Sequence, residues 1–117
     1  KPGKNYGWPE QQCSGDAKFE NAIMCYDPSI EPGGILFYSG DKINLEADFV
    51  MASLRATNLY QLNFDDGLNS QKTILSGVGR IRDVAQSTDG SLYVITSNTD
   101  GKGFPDSMDD KLLRILK

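Results

Sequence analysis

Arg80 and Arg82 stand two residues apart in the run Val78-Gly79-Arg80-Ile81-Arg82-Asp83-Val84. On an extended chain that spacing puts both guanidiniums on one face, about 7 Å apart along the strand. Two planar forks at a strand mouth suit a ligand with several carboxylates, because each fork can hold a carboxylate through two parallel hydrogen bonds. The plainer use of the same residues is that both arginines stand in solvent or pair with Asp83 and Asp89. Spacing alone leaves both open. The chain has no histidine, which excludes a Ser-His-Asp or Cys-His site built from its own residues and removes the commonest transition-metal ligand. Cys13 and Cys25 do not make a zinc site. Either they close a short loop as a disulfide, worth about 3 kcal/mol in the chain-entropy model and suited to an oxidising compartment, or they are two buried thiols. The segment Asn98 to Asp110 carries Asp100, Asp106, Asp109 and Asp110, without the acidic spacing and terminal Glu of an EF-hand calcium loop. Its aspartates are expected to cap turns or to pair with Lys102, Lys111 or Arg114.

Strands must position these groups. Thr88-Asp89-Gly90-Ser91 is the sharpest turn signal in the chain, set between two strand-like runs, and Asp-Gly there predicts a hairpin. Before the turn, Ile81, Asp83, Ala85 and Ser87 are expected on one face, with Arg82, Val84 and Gln86 on the other. After it, Leu92 to Ile95 is an apolar run suited to a buried strand. Further strands are expected over Ile35–Ser39, Asp48–Leu54, Asn58–Phe64, Gln71–Leu75, Ile81–Ser87, Ser91–Ser97 and Lys111–Leu116, with a turn at Asp65-Asp66-Gly67. Ala22–Tyr26 reads as one more short strand. Tyr6 and Trp8, in the turn Asn5-Tyr6-Gly7-Trp8-Pro9, are expected on the core or capping it, and Pro9 rules out a central strand there. Glu10 to Asn21 reads as a surface loop. Asp27 to Gly34, with two prolines and two glycines, is a rigid turn of the kind that shapes a site or simply connects. No stretch has sustained helical periodicity.

The totals bound the rest. At 117 residues the chain is one small domain. Net charge is −4 and the pI about 4.7, with no basic stripe, which argues against nucleic acid as a partner. No apolar run approaches the roughly 18–20 residues of a membrane span. The opening Lys1-Pro2-Gly3-Lys4-Asn5 has no Met and reads like the middle of a loop, so the chain is expected to be cut from a longer one. Seven short strands at near-regular spacing fit an all-β propeller or a small β-sandwich. The count favours the propeller, with a loop-rich lead-in over 1–33, one four-stranded blade over 34–77, and over 78–117 a final blade lacking its outer strand. Such a piece has unpaired strand edges, which invite the remaining blades or a second copy.

Several motifs occur together and in order: Asn5-Tyr6-Gly7-Trp8-Pro9, Asp27-Pro28-Ser29-Ile30, Ala52-Ser53-Leu54-Arg55, Gly79-Arg80-Ile81-Arg82-Asp83-Val84 and Asp89-Gly90-Ser91-Leu92-Tyr93-Val94. The ordered set resembles the C-terminal part of the soluble quinoprotein glucose/sorbosone (aldose) dehydrogenases. The resemblance implies a six-bladed β-propeller that binds pyrroloquinoline quinone (PQQ) and calcium and oxidises C1 of an aldose to a lactone, periplasmic or secreted. It assigns Arg80 and Arg82 to the PQQ carboxylates and quinone region, and Arg55 to a basic position facing the cofactor. Tyr26 and Ser29 match an aromatic and a hydroxyl near the cofactor plane. PQQ carries three carboxylates on a flat ring system, so forked cations, hydroxyl donors and an aromatic beside it make chemical sense. Asp83 is expected to satisfy backbone donors rather than orient an arginine. The family's histidine base has no counterpart here, and its calcium ligands fall in earlier blades. Alone, the chain is expected to be inactive, since it has no base of suitable pKa. Two other roles compete: a non-catalytic propeller module that binds protein or carbohydrate, and a structural β-domain in which the arginines form ion pairs.

Overall fold

Among the described residues, strands form over runs that alternate in polarity, as at 59–64, or stay apolar, as at 92–95. β1 (Pro32–Phe37), β2 (Phe49–Ser53), β3 (Leu59–Phe64) and β4 (Leu68–Leu75) pair in that order into one sheet. β5 (Ile81–Gln86), β6 (Leu92–Thr96) and β7 (Leu112–Ile115) pair into a second. Every pairing is antiparallel. The computed structural model describes residues 1–13, 15–45, 48–64 and 67–116, with Asn69 described in its backbone alone. The turn expected at Asp65-Asp66 therefore lies outside the described residues. β4 starts earlier than the sequence implies, because its ladder with β3 runs on to the pair Phe64↔Leu68.

The inner faces of the two sheets make the main core. Tyr38, Leu45, Val50, Ala52 and Leu59 come from the first sheet and its loops; Ile81, Val84, Leu92 and Val94 come from the second. The expected alternation along β5 fails at one point. The β5–β6 register shifts between Ile81 and Asp83, a bulge that sets two residues of one strand against one of its partner. Ile81 and Val84 both turn into the core as a result, while Arg82, Asp83 and Ala85 face outward. Asp83 accepts the Val84 backbone N–H at 2.8 Å, as its expected role requires.

The far face of the first sheet carries a smaller cluster of Met51, Tyr60 and Leu62, covered by Met24, Tyr26 and Ile30. The run Ala22–Tyr26 is thus a cover and not a strand. Its backbone joins no ladder: Ala22 N–H donates to Cys13 O at 3.4 Å, and Cys25 is bonded to Cys13. Tyr6 and Trp8 do not reach the core either; they are 41% and 82% exposed. The turn that carries them is closed locally, with Gly7 N–H on Asn5 Oδ1 and Gln11 N–H on Gly7 O, both at 2.8 Å. Met24, Tyr26 and Ile30 already fill the sheet face they would need.

β5 packs against β1 and β2, and the closest approach is through glycine. A Cβ on Gly33 would lie 2.2 Å from the carbonyl oxygen of Arg82, and one on Gly34 would lie 1.6 Å from Asp83 Oδ1. The inner strands of the two sheets therefore meet backbone to backbone, beside the arginines. Both outward faces remain apolar. One exposes Ile35 and Phe37 next to the edge-on ring stack of Phe37, Phe49 and Phe64. The other lines a shallow hollow with Ala85, Tyr93, Ile95 and Leu112.

Tyr38 ties the β5–β6 hairpin to the first sheet. It is fully buried; its hydroxyl donates to Gly90 O at 2.7 Å and accepts from Ile43 N–H at 3.0 Å. Tyr38→Phe keeps the ring and strands both partners, so it is expected to cost about 2–3 kcal/mol. Chemical denaturation would measure this, and a change below about 0.5 kcal/mol, the scale of a surface substitution, would contradict it.

Candidate functional site

Arg80 enters β5 from Gly79, whose φ of +84° is open mainly to glycine. Asn98, at the start of the β6–β7 loop, holds this entrance. It accepts Arg80 N–H at 2.8 Å and donates to Val78 O and to Asp109 Oδ1, each at 3.0 Å. The Arg80 guanidinium is then caught between two carboxylates. Nε donates to Asp100 Oδ2 at 3.0 Å and Nη2 to Glu31 Oε2 at 3.2 Å. Arg82 reaches the same Asp100 oxygen at 3.3 Å and also Ser97 Oγ at 3.0 Å. The two arginines do come together, but through a shared carboxylate and not on one flat strand face. Arg80 keeps 9% of its side-chain surface and Arg82 keeps 49%. The plainer pairing with Asp83 and Asp89 does not form, since Asp89 takes Arg114.

Asp100 is the hinge of this arrangement. Its other oxygen accepts Lys102 N–H at 2.9 Å. That backbone bond, followed by the bonds from Arg80 and Ser97, holds its carboxyl below the usual carboxylate range against the opposing effect of desolvation. Elsewhere in the loop the aspartates cap turns or pair with Lys111, as their sequence predicts: Asp106 accepts Met108 N–H and Lys111, and Asp109 also meets Lys111. Among the described residues Lys102 contributes its backbone N–H and not an ion pair, and Arg114 pairs with Asp89 at the hairpin. Among the described residues, no group of three or more His, Cys, Asp or Glu is placed to hold a metal ion.

Arg55 arrives from the β2–β3 turn. That turn is laced to the segment before β1, with Leu54 N–H on Glu31 O at 2.9 Å, Arg55 N–H on Ile30 O at 3.0 Å and Ser53 Oγ on Ile30 O at 2.8 Å. Arg55, Arg80 and Lys102 line one cavity of about 240 Å³ with Leu54, Thr57 and Phe104. Phe104 is 98% exposed. Three cations and one aromatic ring around a common space suit a flat ligand bearing several negative charges.

A model of the family described as glucose/sorbosone dehydrogenase matches residues 1–114. The chain belongs to the glucose/sorbosone dehydrogenase family. It is similar to the PQQ-bound aldose sugar dehydrogenase of Streptomyces coelicolor, with 32% identity and a TM-score of 0.80 over 97% of this chain and 34% of that one. It is also similar to a candidate oxidoreductase (glucose dehydrogenase) of Thermus thermophilus, with 36% identity and a TM-score of 0.84 over 99% of this chain and 35% of that one. The aldose sugar dehydrogenase of Escherichia coli K12 is 28% identical over 86% of this chain and 32% of its own length. The chain thus spans about a third of each relative. Its two sheets are blades of a propeller dehydrogenase fold and not the small sandwich that the strand count left open.

In this member of the glucose/sorbosone dehydrogenase family, the five residues read from the sequence fall into two places. Arg55 and Arg80 share the 240 Å³ cavity, and Arg82 joins them through Asp100. Tyr26 and Ser29 line a different cleft of about 440 Å³ with Trp8, Gln12 and Asp27. The Tyr26 hydroxyl donates to Gln71 Oε1 at 2.6 Å, and Ser29 Oγ accepts Glu31 N–H at 3.1 Å. Sequence reasoning missed Glu31, Lys102 and Phe104. The one signal for them was an aromatic, Phe104, standing between Gly103 and Pro105 in a loop rich in aspartate.

Proposed function

We propose that this chain is the part of a PQQ-dependent aldose dehydrogenase that grips the cofactor's carboxylates. The observation that carries the reading is the convergence of Arg55, Arg80 and Lys102 with Phe104 on one cavity, in a chain 32% identical to a PQQ-bound dehydrogenase. The residues fit the group: PQQ is flat and carries three carboxylates, and the cavity offers three cations and an aromatic face. When bound, PQQ supplies a hydride acceptor for oxidation of an aldose at C1 to a lactone. Arg55 and Arg80 bind and orient the carboxylates, and Arg82 adds positive charge from the Asp100 side. Phe104 supplies apolar area against the ring. Tyr26 and Ser29, which line a separate cleft, supply the aromatic and the hydroxyl for the cofactor. Any calcium ligands are placed in blades outside this chain.

No histidine is present, so the base that takes the sugar's hydroxyl proton lies outside these residues. The two apolar outer faces are where the remaining blades of a six-bladed ring pack. The Cys13–Cys25 bond suits a periplasmic or secreted protein.

The test is a titration of PQQ into the protein at its full native length, followed by dye reduction with aldoses. Saturable PQQ binding and aldose-dependent reduction are expected; absence of binding at micromolar PQQ would sink the reading. The 117-residue chain alone, given PQQ, an aldose and dye, is expected to show no turnover, and turnover there would overturn the missing-base argument. A second reading draws on the ion pairs of Arg80 with Glu31 and Asp100, which is that the arginines are structural. Under it, Arg80 substitutions change stability and leave PQQ affinity alone.

A further inference from the structure

Arg80 presents a contradiction for an anion site: both of its bonded edges are already taken by carboxylates, and only 9% of its side chain is exposed. With so little of the side chain open, an incoming carboxylate that takes the Nε or Nη2 donors displaces one of the two. The two are not equal. Asp100 is 19% exposed and is fixed by Arg80, Arg82, Ser97 and the Lys102 backbone. Glu31 is 36% exposed and Arg80 is the one side-chain partner of its carboxylate among the described residues.

The backbone of Glu31 is as unusual as its side chain is loose. Its φ is +51°, a left-handed conformation that favours glycine and costs other residues on the order of 1 kcal/mol. The conformation is imposed from outside: Glu31 N–H is held by Ser29 Oγ at 3.1 Å and Glu31 O by Leu54 N–H at 2.9 Å. The same lacing carries the Arg55 turn. A glutamate therefore stands where glycine would be easier, with its carboxylate against the arginine.

The geometry points to Glu31 as an internal stand-in for a ligand carboxylate, one that neutralises Arg80 until an anionic ligand binds and displaces it. This rests on the proposal that Arg80 meets the carboxylates of PQQ. Its consequence is that ligand affinity is reduced by the fraction of molecules in which Glu31 holds the arginine. Glu31 is a positioning and competing residue, not a catalytic one.

The experiment uses the protein at its full native length, with PQQ as the probe and its dissociation constant read by absorbance or fluorescence titration. Glu31→Gln and Glu31→Gly each remove the competing charge. Both are expected to bind PQQ roughly two- to fivefold more tightly than the natural protein, the scale of a partly exposed ion pair. Glu31→Gly also suits the left-handed backbone, so its melting temperature should not fall, which separates lost competition from lost structure. Arg80→Ala, measured alongside, tells the two levels apart. If Arg80→Ala leaves affinity unchanged, the cofactor-site reading fails. If Arg80→Ala abolishes binding while both Glu31 variants bind PQQ as the natural protein does or more weakly, the stand-in role alone is overturned.

Discussion

Arg80→Ala is expected to weaken PQQ binding by about a hundredfold while leaving the protein folded. The magnitude comes from the loss of charge-assisted hydrogen bonds, each worth roughly 1.5–3 kcal/mol, where about 1.4 kcal/mol is a factor of ten. The truncation does more than remove a donor. It leaves Glu31 and Asp100 facing the same space without the cation that lies between them, so the incoming carboxylates meet negative charge. Asp100 retains Arg82, Ser97 and Lys102, which keeps the β6–β7 loop anchored. Arg80→Lys preserves the charge but not the planar fork and should fall between the two. Isothermal titration with PQQ, beside a thermal melt, checks both halves. A dissociation constant within about threefold of the natural protein's would leave Arg80 as a structural ion-pair partner.

Gly33→Ala should have the largest effect on stability, about 3 kcal/mol or more. The added methyl would sit 2.2 Å from Arg82 O and 3.0 Å from Arg82 C. These are backbone atoms, which cannot rotate aside, so β1 and β5 must move apart. Overpacking in a tight core costs about 1–3 kcal/mol even where side chains can adjust, and here the partner strand also bears Arg82. Gly34→Ala provides the internal comparison. Its clash at 1.6 Å is with the Asp83 carboxylate, which can swing away at the cost of its bond to Val84 N–H, although the Asp83 Cα at 3.1 Å keeps the site crowded. The expected order is Gly33→Ala worse than Gly34→Ala, measured by chemical denaturation. The reverse order would mean that the strands do not meet through their backbones at Gly33.

Much of the architecture was legible because strand signals are local. The runs around Val50, Leu62, Val84 and Val94 alternate or cluster as half-buried strands do, and Asp89-Gly90 marks its hairpin without outside help. The failures are non-local. Ala22–Tyr26 has strand-like residues, yet Cys13 and the sheet face beneath it decide its form. Trp8 looks like core by composition, but the place it would fill is already taken. The bulge after Ile81 is invisible to a two-residue period and reverses the expected facing of Val84. The site divides the same way. Arg80 and Arg82 are marked by spacing, whereas Glu31 is 49 residues from Arg80 and Asp100 is 20 residues away. Only the fold brings those charges together, so the sequence assigns the aspartate to turn capping or to pairing with Lys102, Lys111 or Arg114, and says nothing of the glutamate.

The two apolar flanks have a consequence that belongs to symmetry. The face of Ile35, Phe37, Phe49 and Phe64 is not the face of Tyr93, Ile95 and Leu112. A two-fold axis joins like to like, so a two-fold dimer of this chain covers one flank and leaves the other bare. Covering both requires head-to-tail contact, and head-to-tail contact either closes into a ring or runs on without end, depending on the turn between copies. Whatever polypeptide lies against these flanks must therefore do two jobs at once: cover unlike surfaces at both ends, and set the rotation that brings the circle shut.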